Sequence, residues 1–289
     1  MITVATLLGL EHSGTTLLVR MLAAHSKAVA IGGLKNFAAF AYGNRACSCG
    51  GTPDTCVFWS SVFREIRSKG NDPHILAALL AAHRQNPESA RDAARILVEA
   101  ISVTSGASLI VDASRDPTWS KLLRYSPSIN VVPIHIFKTP MAQLASAKRK
   151  QRSLCAEIRK YHLRSRRCRA ETSHSPSSIT LAYDTLCSAP EASLTRIMDA
   201  VGLLLEPTQA TNWGVKPLHM IGGNRMKSST SSKVERDERW SKLLSGFEIA
   251  LARLGGGATF ALNERESRRE TRSRERRVIK LGPSGNVRD

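Results

Sequence analysis

Apolar residues along the chain fall into short dense blocks, separated by longer stretches in which they recur every three or four positions. Residues 2–10 (ITVATLLGL) are apolar, rich in β-branched types and closed by glycine, the pattern of a strand buried on both faces. Residues 28–31 (AVAI), 108–114 (SLIVDAS), 129–138 (INVVPIHIFK) and 178–186 (SITLAYDTL) read the same way. Helical spacing predicts a helix over Thr15–His25, one or two over residues 75–103 with a break near Asn86-Pro87, and further helices opening at Pro117, Pro140 and Pro190, the last to about Val201. Alternating strands and helices imply βαβ units, hence an α/β fold with a mostly parallel central sheet covered by helices. From about Glu264 the chain becomes Arg/Glu/Ser-rich with no apolar periodicity beyond a short VIKL, which predicts disorder. The division is therefore an α/β domain over residues 1–260 and a tail over 261–289.

The first strand runs into GLEHSGTT, Gly9 to Thr16, which has the spacing of a phosphate-binding loop except that Thr15 stands where lysine is expected. Backbone amides of Ser13 to Leu17 would face an anion at the helix start, Gly14 would let it approach closely, and Thr15 and Thr16 add hydroxyls. Without the lysine that balances charge on β- and γ-phosphates, ATP or GTP hydrolysis is disfavoured, unless His12 supplies the cation. A tight strand–helix turn holding no ligand is the alternative. In parallel sheets ligands bind beyond the carboxyl ends of the strands. Gly9–Thr16, Asp112–Arg115 and Lys138 all fall there, so the expected architecture is a three-layer P-loop-type fold.

Charge narrows the partner. The 289 residues carry 42 Lys+Arg against 24 Asp+Glu, a formal net charge of +18, which suits anionic partners. Eleven Lys/Arg lie between residues 138 and 169 against Glu157 alone, and read as a solvated basic helix face beside the expected site. Tyr161 is the one aromatic residue among them, which makes nucleic-acid stacking an unfavoured reading. The sequence holds no apolar run long enough to span a membrane, and the N-terminal apolar stretch lacks a basic flank and reads as a strand. Six cysteines do not make a disulfide scaffold, so a reducing cytoplasm is the expected location.

GLEHSGTTLLVRMLAAH, VDASRDPTWSKLL, IHIFKTPMAQLASAKR, ITLAYDTLCSAPEASLTRIMDAVGL and HMIGGNRMKSS, in that order over roughly residues 3–230, together resemble the PAPS-dependent sulfotransferases, particularly the bacterial type. The resemblance implies 3′-phosphoadenosine 5′-phosphosulfate (PAPS) as donor co-substrate, with no metal required and no metal-ligating residue assigned to the site. It implies a 5′-phosphosulfate loop over His12, Ser13, Gly14, Thr15, Thr16 and Leu17, and a 3′-phosphate site at Lys138 and Ser146, where relatives carry Arg and Ser. Arg115 replaces the lysine of the relatives' Asp-x-Ser-Lys element, and Asn224, Arg225 and Lys227 match a late segment that closes over the donor. Relatives often place a Gly-Glu pair after the second strand, in some of them the general base. Here Gly32-Gly33 stands in that place, leaving Asp112 and His12 as the catalytic candidates. For Asp112 a structural role, orienting Arg115 or capping a helix, is the alternative. The implied acceptor is a small molecule, glycan or peptide with a hydroxyl or amine, and an anionic acceptor would suit the basic face.

CSCGGTPDTCVFW, residues 47–59, leaves three readings open: a structural loop with buried thiols, a disulfide, or a metal site with His74 as fourth ligand. Two functional rivals also remain. One is a P-loop kinase or NTPase with a degenerate loop, for which LIVD (109–112) is the one Walker B candidate. The other is a catalytically inactive basic donor-binding relative.

Overall fold

The structure is a computed structural model describing residues 1–126, 128–222 and 231–280. Five strands, β1 (Ile2–Leu8), β2 (Ala28–Gly32), β3 (Leu109–Asp112), β4 (Ile129–Phe137) and β5 (Ile179–Ala182), form one sheet in the order β2-β3-β1-β4-β5. Every pairing is parallel. The helices up to the middle of the chain are α1 (Thr15–Ala23), α2 (Phe37–Ala41), α3 (Val57–Ser68), α4 (Pro73–Ala81), α5 (Pro87–Ser105) and α6 (Pro117–Arg124). They are followed by α7 (Pro140–Lys148), α8 (Leu154–Thr172), α9 (Tyr183–Ser188), α10 (Pro190–Val201), α11 (Pro207–Thr211), α12 (Trp240–Leu243) and α13 (Gly246–Lys280).

Alternate residues of the strands feed two separate cores, as a sheet covered on both faces requires. Val4, Ile110 and Val131 pack with Phe37, Trp59, Phe63 and Leu97, under α3 and α5. Ala5, Leu7, Val111, Val132 and Ile134 pack with Leu18, Leu22 and Ile197, under α1 and α10. This is the expected three-layer α/β arrangement. Proline opens α4, α5, α6, α7, α10 and α11 at a position whose amide has no intrahelical acceptor. Asp72, Asn86, Asp116 and Thr139 cap four of these helices with a side-chain oxygen.

The register fixes where the functional segments meet. Thr6 of β1 stands beside Asp112 of β3, Leu8 beside His135 of β4, and Phe137 beside Ala182 of β5. The chain leaving β1, β2, β3, β4 and β5 therefore emerges at one edge, carrying Gly9–Thr16, Gly33, Ala113–Arg115, Lys138 and Tyr183.

Besides the short helices α2, α11 and α12, which were not predicted, three larger features bear on the site or the core. The last strand ends at Ala182, because Tyr183 starts α9 and its hydroxyl donates to the Glu235 carbonyl (3.0 Å). Helix α3 follows directly on the cysteine loop, where no helix was predicted. The Arg/Glu-rich segment after residue 260 continues α13 to Lys280. Its charges have partners: Glu266 lies 3.7 Å from the Arg169 guanidinium of α8, and the Glu270 carboxylate accepts the Thr180 amide and hydroxyl (2.5 and 2.9 Å). The helix also comes very close to α7, since a Cβ on Gly256 would sit 2.6 Å from Pro140 Cβ. The small residues that weaken helix propensity thus permit the packing that restores it.

Candidate functional site

A cavity of about 840 Å³ opens at the carboxyl edge of the sheet. Its floor is the phosphate loop and the first turn of α1, through His12, Gly14, Thr15, Thr16 and Leu17. Gly14 adopts φ 97°, and a Cβ there would meet the Tyr183 ring at 2.3 Å, so the loop tolerates only glycine at this point. The first amides of α1 have no intrahelical acceptor and, with the helix dipole, make a positive pole facing the cavity.

The walls are basic. Arg45, Arg115, Lys138, Arg149, Lys150, Arg152, Lys233, Arg236 and Arg239 line the cavity, against Glu11, Glu235 and Asp237. Lys138 leaves the end of β4 almost fully buried, with its ammonium 3.9 Å from the centre of the Tyr183 ring and 3.5 Å from Asp237. Burial holds Lys138 below the usual lysine range, with Asp237 opposing. Asp237 is kept well below the usual carboxylate range by Arg239, whose guanidinium donates to both its oxygens (2.7 and 3.0 Å), and by Lys138. Arg115 also lines the cavity, and burial lowers its pKa.

His12 sits in the left-handed region (φ 65°), and its Nε2 is buried without a hydrogen-bond partner among the described residues. Burial first, then Lys150, pulls its pKa below the ordinary histidine value. Both effects disfavour the imidazolium, the form in which His12 would act as a cation in place of the missing lysine. Burial opposes ionisation of neighbouring Glu11, but the Arg152 hydrogen bond (3.1 Å) and nearby Lys160 outweigh it.

Three expected site residues are placed differently. Ser13 does not line the cavity: its side chain is buried and donates to the Leu10 carbonyl (2.9 Å), bracing the loop. Ser146 is also buried, donating to the Ala142 carbonyl (3.1 Å) and accepting from Arg149 (3.3 Å), so it reaches the cavity through Arg149. Asp112 is fully buried beneath the cavity, not among its lining residues. Its Oδ1 accepts from the Leu34 amide (3.0 Å), the Ser114 amide (3.0 Å) and the Ser114 hydroxyl (2.7 Å), while the Ser114 oxygen accepts the Lys35 amide (3.0 Å). Burial pushes the Asp112 carboxyl up to about 6 against these bonds. This is the geometry of a brace between the turn after β2 and the loop carrying Arg115. Gly33 lies in that turn, donating to the Ile221 carbonyl (3.1 Å), and a Cβ there would already meet Asn36 Nδ2 at 3.0 Å and Ser114 Cα at 3.3 Å. A side chain at this position would require the Asn36 amide group to shift aside. Asn224, Arg225 and Lys227 lie outside the described residues, although Gly222 and Lys233 on either side of that segment line the cavity.

Sequence reasoning did not single out Tyr183, at the start of α9, or Arg45, Lys233, Arg236, Asp237 and Arg239, which lie outside the helices and strands and carry no motif. It also paired the wrong histidine with the cysteines. Cys47, Cys49 and Cys56 are free thiols that converge with His219, whereas His74 packs against Tyr42 and Phe63.

A wholly parallel sheet with a strand–loop–helix turn of phosphate-loop spacing and a basic cavity at its carboxyl edge defines a P-loop-like α/β protein. The model of the Sulfotransferase family matches residues 5–207, and the chain belongs to that family. Two solved structures share the fold. The sulfotransferase domain of the Synechococcus PCC 7002 olefin synthase aligns with a TM-score of 0.51 at 16% identity, over 87% of this chain and 94% of that one. The sulfotransferase domain from the curacin biosynthetic pathway aligns with a TM-score of 0.53 at 15% identity, over 88% and 96%. No curated protein sequence matches the chain significantly.

The bracing role of Asp112 is open to test by stability. Asp112→Ala strands three buried donors and is expected to lower unfolding free energy by roughly 2–4 kcal/mol. Asp112→Asn keeps an accepting oxygen and should retain most of that stability, read from urea unfolding midpoints. Equal stability of wild type and Asp112→Ala would remove the brace.

Proposed function

We propose that this protein transfers a sulfuryl group from PAPS to a hydroxyl or amine of an acceptor by in-line displacement. The observation that carries the reading is a basic cavity built on a phosphate loop without the lysine that nucleotide hydrolysis uses. The residues fit the donor: the cavity has room for a nucleotide, and its nine cationic side chains exceed its carboxylates threefold. When bound, the donor supplies a sulfonate already activated by its anhydride bond to the 5′-phosphate.

The chain's own groups then divide the work. Amides at the start of α1 and the hydroxyls of Thr15 and Thr16 hold the 5′-phosphosulfate and stabilise the charge that builds on the phosphate as the S–O bond breaks. No bound metal is needed for that charge, because the migrating group carries a single negative charge and the helix pole faces the leaving oxygen. Lys138 is the main cation for the 3′-phosphate, with Arg149, held by Ser146, and Arg115 beside it. Asp237 occupies the Lys138 ammonium in this structure, so an anion entering there exchanges one partner for another. Neutral His12 accepts the acceptor's proton as its oxygen or nitrogen attacks sulfur. Asn224, Arg225 and Lys227 complete the donor site in this reading. The basic face of α8, with Arg159, Lys160, Arg164 and Arg167 around a neighbouring surface hollow, favours an acceptor that itself carries acid groups. In this reading the protein works in the cytoplasm, where the donor nucleotide and reduced thiols coexist.

Calorimetry with adenosine 3′,5′-bisphosphate against Mg-ATP is the direct test. Metal-independent binding of the bisphosphate, at least tenfold tighter than Mg-ATP, is expected; preference for Mg-ATP would return the chain to the degenerate kinase reading. Bisphosphate binding without donor turnover on any acceptor would instead mark an inactive donor-binding relative. With a phenol as surrogate acceptor, kcat/KM should rise with pH through a group below the ordinary histidine pKa of about 6.5, since His12 must be unprotonated to act. His12→Gln should lower turnover by roughly 10²–10⁴-fold and flatten that acid limb. Persistence of the limb in His12→Gln would exclude His12 as the base.

A further inference from the structure

We propose that Cys47, Cys49, Cys56 and His219 bind a structural zinc ion, outside the donor cavity and independent of the transfer chemistry. One potential ligand atom from each of the four residues lies within 4.8 Å of every other. His219 Nδ1 is 3.3 Å from Cys56 Sγ and 3.9 Å from Cys47 Sγ. Zinc bonds of about 2.3 Å to sulfur and 2.0 Å to nitrogen at tetrahedral angles place ligand atoms roughly 3.5–3.8 Å apart. The cluster thus needs only a small contraction to close around the ion. Three thiolates and an imidazole match the donor set of closed structural zinc sites, with no position left for water or substrate.

The surroundings prepare these ligands. The Cys47 amide donates to the Gly51 carbonyl and the Gly50 amide to the Cys47 carbonyl (both 2.9 Å), forming a tight turn that brings Cys47 and Cys49 together. Cys56 is the residue before the first turn of α3, and its amide donates to the Thr52 carbonyl (2.9 Å), which fixes the sulfur at the helix start. His219 is held from two sides: the Phe58 ring stacks on its imidazole at 5.5 Å, and Trp59 Nε1 donates to its carbonyl (2.9 Å). Ser48, between two of the cysteines, donates from its amide to the Met220 carbonyl and accepts the Met220 amide on its hydroxyl (2.9 Å each). A disulfide would use two of the thiols, leave the third unused, and give the imidazole nitrogen no reason to point among them.

The ion has a mechanical consequence. It joins the loop after α2 to the segment 218–222, which bridges to β2 through the Ile221 amide and Ile31 carbonyl (2.9 Å). That segment supplies Met220, Ile221 and Gly222 to the cavity wall. Zinc would thus fix the wall immediately before the segment assigned to donor closure.

Metal analysis of the full chain, expressed with zinc and purified under reducing conditions, is expected to give about one zinc per chain. Exchange for cobalt(II) should produce the intense near-ultraviolet sulfur-to-cobalt band and tetrahedral visible bands. Cys49→Ser, which changes an exposed side chain, should lose most of the bound metal while keeping a native circular dichroism spectrum. Chelation of wild type should lower the melting temperature by several degrees, and the same chelator should leave Cys49→Ser unmoved. The proposal is overturned by wild-type protein with reduced thiols that retains no zinc, by equal zinc in wild type and Cys49→Ser, by iron in the site, or by a mass two hydrogens lighter with a cysteine pair mapped as a disulfide.

Discussion

Parallel pairing of β1 with β3 on one side and β4 on the other constrains everything that follows. Because Thr6 stands beside Asp112 and Leu8 beside His135, the loop after β1, the Arg115 loop after β3 and Lys138 after β4 open in the same direction. Neither neighbour can slip by one residue without turning its apolar set from one core to the other. The sheet is covered on both faces, so register is enforced by burial on both, and the site inherits that precision. Asp112 carries it one step further, with a single buried oxygen tying the turn after β2 to the loop after β3.

Electrostatics then decide what such an edge can hold. Cations surround the cavity, but few are free to move: Lys138 is buried against Tyr183 and Asp237, and Arg149 leans on Ser146. The basic side chain of the phosphate loop itself, His12, is pushed towards its neutral form by the same burial and positive surroundings. The positive charge of this edge therefore sits on the walls and the helix pole, while the same surroundings disfavour the charged form of His12.

The sheet and several helices were legible because both-face burial gives β1 and β4 uninterrupted apolar blocks and proline marks the starts of α6, α7 and α10. The phosphate loop was legible from glycine spacing, and Lys138 from its place at a strand end. Less legible were features that depend on tertiary contact. Ser13 and Asp112 look like site residues in one dimension, and only the fold turns their oxygens into the protein. Asp237 and Arg239 have no motif and enter the cavity through a loop crossing it. His219 lies 163 residues from Cys56, and no local spacing could pair them. α13 was hidden by its own composition: the Arg/Glu run reads as a tail, yet Gly255 and Gly256 meet Ile158 and Pro140 and the charges meet α8 and β5.

The central claim is that the strand ends assemble one metal-free site for a 3′,5′-bisphosphorylated nucleoside. A crystal structure with adenosine 3′,5′-bisphosphate tests it most directly. The account predicts the 5′-phosphate on the amides of Gly14 to Leu17 and the 3′-phosphate on Lys138, with the Lys138–Asp237 contact broken and no metal between phosphate and protein. A nucleotide bound through magnesium, or one whose 3′-phosphate lies away from Lys138 while Asp237 keeps its place, would contradict it.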